Sequence, residues 1–134
     1  MPVSKRCKEI YGFELNSIAI EDAKKNSKLN NISNAFFSAV DLHISKDKIS
    51  DLWEGTPFPD VVIVDPPRSG LHPNIIKRIL ELKPKKLVYV SCNPATQARD
   101  LAELLDIYEL RGIHPIDMFP HTYHIESIAE LFLK

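Results

Sequence analysis

One cysteine, placed where a strand must end, is the residue of this chain whose type and position most suggest chemistry. Lys86-Leu-Val-Tyr-Val-Ser-Cys92-Asn-Pro94 runs through β-branched and aromatic residues and then stops, because Pro94 cannot donate to a sheet ladder. The pattern predicts a buried strand over Leu87 to Ser91 that delivers the Cys92 thiol to its carboxyl end. Ligands of open α/β sheets bind in the crevice outside such ends, so a nucleophile there is well placed. Acids recur at comparable points: Glu14, Asp41 and Asp65 each close an apolar run. In the doubly wound plan a strand-terminal acid holds ribose hydroxyls, which suits Glu14. Arg68 could pair with a phosphate or with a neighbouring acid, both ordinary uses of its planar fork. His114, His121 and His124 raise the alternative of a thiol activated by imidazole. No nucleophile turn or oxyanion glycine surrounds Cys92, which argues against that hydrolytic reading.

These residues need elements to position them. Asp60-Val-Val-Ile-Val-Asp65 is the clearest strand, apolar on both faces as in a parallel sheet covered by helices. Pro66 and Pro67 end it, Arg68 to His72 form a loop, and Pro73 suits the first position of a helix over Pro73 to Leu82. Upstream, Lys8 to Leu15 reads as a strand. Asn16 or Ser17 can cap a helix from Ile18 to Asn30 whose apolar positions are Ile18, Ala19, Ala23 and Leu29. Ala35 to Val40 is a further short strand. Between His43 and Pro59 a short helix around Lys46 to Trp53 precedes a Gly-Thr-Pro-Phe-Pro linker. After Cys92 comes a helix from about Ala95 to Leu105, with Leu101, Leu104 and Leu105 toward the sheet. Tyr108 to Asp117 and Ile125 to Leu133 are strand-like, and the short link between them can only join antiparallel neighbours. The sum is an α/β chain with a mostly parallel sheet and a C-terminal antiparallel pair.

Composition narrows the class. At 134 residues and 44% hydrophobic content the chain suits one globular domain. A net charge of -1, from 17 basic and 18 acidic residues, exerts no strong field on a polyanion, so any nucleic-acid grip must be local. Lys83, Lys85 and Lys86 cluster just before a strand and read as a solvated turn. Cys7 and Cys92 are too few for a disulfide framework or a zinc knuckle, so no metal is expected and a reducing compartment fits. Cys7, near an irregular start, is expected to be inert. No long apolar run and no charged-then-apolar leader occurs, so an intracellular, cytoplasmic protein without a membrane span is expected. Glycines stand only at 12, 55, 70 and 112, which leaves no G-x-G cofactor loop.

Asp65-Pro-Pro-Arg68-Ser-Gly70, Ser91-Cys-Asn-Pro-Ala-Thr96 with Arg99-Asp100, and Asp117-Met-Phe-Pro-His-Thr122 with His124-Ile-Glu126 carry a resemblance that periodicity could not supply. In this order they resemble the motifs of the RNA uracil-C5 methyltransferases, which make 5-methyluridine with S-adenosylmethionine. The Glu14 strand and Ala23-Lys-Lys-Asn26 resemble that family's cofactor half. The likeness runs from about Glu9 to Lys134. It implies an incomplete Rossmann-like class I methyltransferase sheet, with residues 1–134 as the C-terminal portion of a catalytic domain. The family's first strand, Gly-rich loop, central domain and RNA-binding module have no counterpart.

The resemblance also implies roles. Cys92 matches the nucleophile that adds to uracil C6, and Glu126 matches the base that removes the C5 proton; a carboxylate buried between Tyr123, His124 and apolar neighbours would suit that part. Asp65 matches the acid on the uracil edge and lies at the cofactor as well, with Arg68 beside it toward the substrate. Glu14 and Asp41 match the acids that read the cofactor's ribose and adenine. The expected partner is tRNA or rRNA. The Asp-Pro-Pro stretch also occurs in methyltransferases of amino groups, a reading that the Cys92 and Glu126 motifs oppose. A non-catalytic remnant or partner-binding module retaining the motifs is the other functional class. Because the family's first strand lies between those matching residues 8–15 and 60–65, its absence is expected to be made good by direct pairing of the two, by residues 1–7, or by a strand-swapped dimer.

Overall fold

The computed structural model describes residues 2–42 and 58–134. The chain divides into two compact units, residues 1–44 and 45–134. The expected helix around Lys46 to Trp53, together with His43 and the start of the Gly-Thr-Pro linker, lies outside the described residues.

The first unit is a strand, a helix and a strand. Strand β1 (Ile10–Glu14) pairs in parallel with β2 (Ala35–Ala39), Gly12 opposite Phe37 and Glu14 opposite Ala39, and helix α1 (Ser17–Leu29) connects them. Asn16 is the cap: its Oδ1 accepts the N–H groups of Ile18 and Ala19 at 2.9 and 3.4 Å. The packed face of α1 differs from the expected one. Ile20 and Ser27 are buried with Ala23 half-buried, an i, i+3, i+7 stripe, whereas Ile18 is 68% and Leu29 80% exposed. The start is not irregular either. Pro2–Arg6 form a 3-10 helix, and Asn34 Nδ2 lies 3.0, 2.9 and 3.4 Å from the carbonyl oxygens of Ser4, Cys7 and Lys8.

The second unit holds a four-stranded sheet in the order β3-β4-β6-β5. Strand β3 (Val61–Val64) runs parallel to β4 (Lys86–Ser91), and helix α2 (Pro73–Leu82) makes the crossover. Helix α3 (Pro94–Leu104) then leads to β5 (Tyr108–Ile116), and β6 (Glu126–Leu133) inserts between β4 and β5, antiparallel to both. The C-terminal pair is thus antiparallel as expected, and β6 adds a second antiparallel ladder against β4. Its pairs Leu87↔Leu131 and Tyr89↔Ala129 present one face to the helices. That face meets Ile76 and Ile79 of α2 and Leu101 and Leu104 of α3, with Leu71 and Tyr108 completing the core. Leu105, expected to join them, is the α3 cap residue and stays partly exposed.

Two further expectations are corrected. The 60–65 strand is not buried on both faces: Val62 and Val64 pack on the core, while Val61 is 50% and Ile63 58% exposed. Helices α2 and α3, among the described residues, pack on the face that carries Val62 and Val64. Among the described residues β1 pairs only with β2 and β3 only with β4, and residues 2–6 are coiled too tightly to serve as a strand. No described helix is long and apolar enough to cross a membrane.

Candidate active site

Parallel β3 and β4 share one carboxyl end, and there the chain places its candidate chemistry. Asp65 follows β3 directly and is exposed. Beyond Pro66, Gly70 N–H donates to Pro67 O at 2.9 Å, which closes a tight turn over Arg68 and Ser69 with Gly70 at φ +83°. His72 caps α2 through Nδ1, which accepts the Asn74 N–H at 3.2 Å, and Pro73 opens the helix. On the neighbouring strand, Cys92 is half-buried one residue past β4. Asn93 caps α3, its Oδ1 accepting the Ala95 N–H at 3.1 Å.

The register decides which residues follow the last pair of the two strands. Ser91↔Ser127 is the last pair between β4 and β6, so Cys92 and Glu126 are the next residues outward on the two strands. Gln97 supports this corner: its buried Nε2 donates to Tyr89 O at 3.0 Å and to Ser127 O at 3.2 Å. A depression of about 340 Å³ opens beside the thiol, lined by Arg68, Cys92, Asn93, Pro94, Tyr123, His124 and Ile125. Its size lies within the range of small-molecule sites.

Among the described residues Arg68 turns to a histidine. Its Nη2 lies 3.1 Å from Nδ1 and 3.0 Å from Nε2 of His124, and since a guanidinium only donates, a ring nitrogen accepts. The Tyr123 and His124 rings are 4.2 Å apart at 49°. The expected burial of Glu126 between Tyr123, His124 and apolar neighbours is only partial: Glu126 and His124 are half-buried, while Tyr123 is 89% exposed.

Sequence reasoning passed over the group that binds these pieces together. Asp100, 0% exposed, accepts the Leu71 N–H at 2.7 Å and the Tyr89 hydroxyl at 2.6 Å through Oδ2. Its Oδ1 accepts Nε and Nη2 of Arg99 at 2.9 and 2.7 Å. Burial first, and then the bond to Asp100, raise the Tyr89 pKa, so Tyr89 stays a donor at neutral pH. The signal was available: Gln97, Asp100, Leu101 and Leu104 form one inward stripe at helical spacing, and a carboxylate on it must find donors.

In the first unit, Glu14 and Asp41 lie at and just beyond the carboxyl ends of β1 and β2. One Glu14 oxygen, Oε1, accepts the Asn16 N–H at 2.9 Å. Exposed or half-exposed carboxylates at that end of parallel strands fit the hydroxyls of a nucleoside.

The model of one family, tRNA (Uracil-5-)-methyltransferase, matches residues 1–134. The chain belongs to this family. An uncharacterized RNA methyltransferase of Bacteroides thetaiotaomicron is 46% identical over 133 residues, covering 98% of this chain and 29% of the relative. One from Porphyromonas gingivalis is 48% identical over 132 residues, with 96% and 28% covered. The chain therefore spans under a third of the curated relatives' length. Among solved structures, the Pyrococcus abyssi tRNA (uracil-54, C5)-methyltransferase in complex with S-adenosyl-L-homocysteine superposes with a TM-score of 0.81 at 42% identity, over 96% of this chain and 30% of that one. An rRNA methylase of Streptococcus thermophilus, 11% identical at a TM-score of 0.72 over 98% of this chain and 76% of that one, shares the fold alone. As a member of this family the chain is a fragment of a class I methyltransferase fold, as its motifs implied.

Proposed function

We propose that this chain is the catalytic region of an S-adenosylmethionine-dependent RNA methyltransferase acting on C5 of a uridine in tRNA or rRNA. The observation that carries the proposal is the β4–β6 register, which sets Cys92 and Glu126 outward of one terminal pair, with Cys92 lining the depression that Arg68 and His124 also line. Uracil C5 is a poor nucleophile. The Cys92 thiolate adds to C6, which moves electron density onto C5 and O4 and lets C5 take up a methyl group. S-adenosylmethionine, when bound, supplies that methyl as the electrophilic carbon of a sulfonium. Glu126 then removes the C5 proton, the C5–C6 double bond reforms, and Cys92 leaves as thiolate. Asp65 holds the uracil edge and reaches the cofactor side, and Arg68 contacts the substrate. Glu14 and Asp41 hold the cofactor's ribose and adenine. The isolated chain is inactive on this reading. A strand-swapped dimer has support in the outer edge of β3, which carries no ladder partner among the described residues; sedimentation of a concentration series that gives only monomer would refute it.

The test replaces the matching segment of the Bacteroides thetaiotaomicron relative with this chain, and offers tRNA and rRNA transcripts in separate arms. Cys92→Ala abolishes methyl transfer and the covalent adduct with 5-fluorouridine RNA, whereas Cys7→Ala changes neither. Glu126→Gln leaves attack intact but slows elimination by about 10²- to 10⁴-fold, the usual worth of a positioned base, so a methylated protein–RNA adduct accumulates. Turnover by Cys92→Ala would overturn the proposal.

A further inference from the structure

The loop that carries Arg68 is held to the segment that carries Cys92 by more contacts than a surface loop needs. Arg68 O lies 3.0 Å from Asn93 Nδ2 and 3.2 Å from Thr96 Oγ1. Ser69 O accepts from Arg99 Nη2 at 2.9 Å, and Leu71 N–H donates to Asp100 at 2.7 Å. Every one of these partners lies at the α3 cap or in the helix's first turns. Asn93 is also locked to the end of β4, since Ser91 Oγ donates to its carbonyl and accepts its N–H, both at 3.0 Å. At the centre Asp100 receives four donors on two oxygens. An apolar side chain would hold a core as well as such a buried ionic group does. What the four donors add is direction, because each bond has a required line of approach.

We infer that Asp100 is a positioning residue: it fixes the 68–71 backbone against α3 and thereby sets where Arg68 stands relative to the Cys92 thiol. The inference rests on the reading of Cys92 as nucleophile and Arg68 as substrate contact. Arg68 forms one wall of the depression at Cys92, so freeing the loop uncovers the half-buried thiol. Oδ2 of Asp100 serves both Leu71 and Tyr89, so an asparagine oxygen can keep these two bonds while losing the charge that Arg99 meets.

The experiment needs neither RNA nor cofactor. Iodoacetamide alkylation of Cys92 is followed by mass spectrometry in the chain itself, with exposed Cys7 as the internal reference. Asp100→Ala is expected to speed Cys92 alkylation about 3- to 10-fold without changing Cys7, through local rather than global opening, so the gain persists unchanged in low urea. Asp100→Asn should return the rate to within about 2-fold of wild type, as expected for retained acceptor bonds. If Asp100→Ala does not fold, Tyr89→Phe removes one donor and leaves the carboxylate, and should speed alkylation in the same direction by about 2-fold. An unchanged Cys92 rate in a folded variant overturns the inference, as does a rate that climbs with urea in step with global unfolding. Failure of the methyl-transfer reading would show only in the adduct assay and would leave this measurement as it stands.

Discussion

Gly70→Ala should be among the most damaging single-methyl additions this chain can suffer. Gly70 has φ +83°, where a side chain costs about 1–2 kcal/mol. An ideal Cβ there would stand 2.6 Å from Arg99 Nη2, 2.6 Å from Asp100 Oδ2 and 3.1 Å from Thr96 Cβ. None of the three can step aside freely: Arg99 and Asp100 hold one another, and the Thr96 hydroxyl is drawn to the carbonyls of Arg68 and Asn93. Forcing a methyl into such a site adds about 1–3 kcal/mol. Alanine also stiffens the unfolded chain, which offsets about 0.4–1 kcal/mol. The net expectation is a loss of about 2–4 kcal/mol, or on the order of 10 °C in Tm at this length. Urea titration read by pulse proteolysis measures it. Gly70→Asn separates the causes, since asparagine tolerates positive φ but brings the same Cβ; it should stay within about 1 kcal/mol of the alanine variant if the clash dominates. Gly12→Ala is the control. Its Cβ would meet a movable ring edge, Phe37 Cδ1 at 2.8 Å, at an ordinary φ, and should cost roughly 1 kcal/mol. A Gly70→Ala loss below about 1 kcal/mol, or near-full recovery by asparagine, would refute the reasoning.

Burial pushes the Tyr108 phenol up to about 12, and its hydroxyl donates to Pro84 O at 3.1 Å. The folded state then keeps a proton that the unfolded state releases near pH 10, so stability present below pH 10 falls as pH rises toward 12. In Tyr108→Phe that decline should be shallower by on the order of 1–2 kcal/mol between pH 10 and 12, measured by urea titration at each pH; an unchanged slope would contradict the assignment. Isothermal calorimetry of the chain with S-adenosylhomocysteine should give a Kd nearer millimolar than micromolar, since several contacts of about 1 kcal/mol each need a Gly-rich turn absent from this sequence. A micromolar Kd would sink that expectation.

Much of the local structure was legible in the residues themselves. Pro73 opens α2, Asn16 caps α1, and Pro66 and Pro94 end the strands before them, since each of these effects acts within one turn of chain. The motifs around Asp65, Cys92 and Glu126 were legible as a family likeness, and the family match bears out that likeness. The inward face of α1 was misjudged because Ile18 and Leu29 satisfy an apolar count without lying on the buried stripe of Ile20, Ala23 and Ser27.

What the sequence alone determined, then, was the order of strands and helices and the residue types at their ends. Tertiary structure decided which strands became neighbours and which polar groups went inside. Inserting β6 between β4 and β5 is a matter of which faces can be buried together, and it alone brings Glu126 outward of the same pair as Cys92. Asp100 reads as one more charge on a helix until Leu71, Tyr89 and Arg99 converge on it. Arg68 is turned to His124, 56 residues away along the chain, a neighbour its sequence position does not disclose. Local preferences act over a few residues, whereas these contacts exist only once distant segments have been packed against a common core.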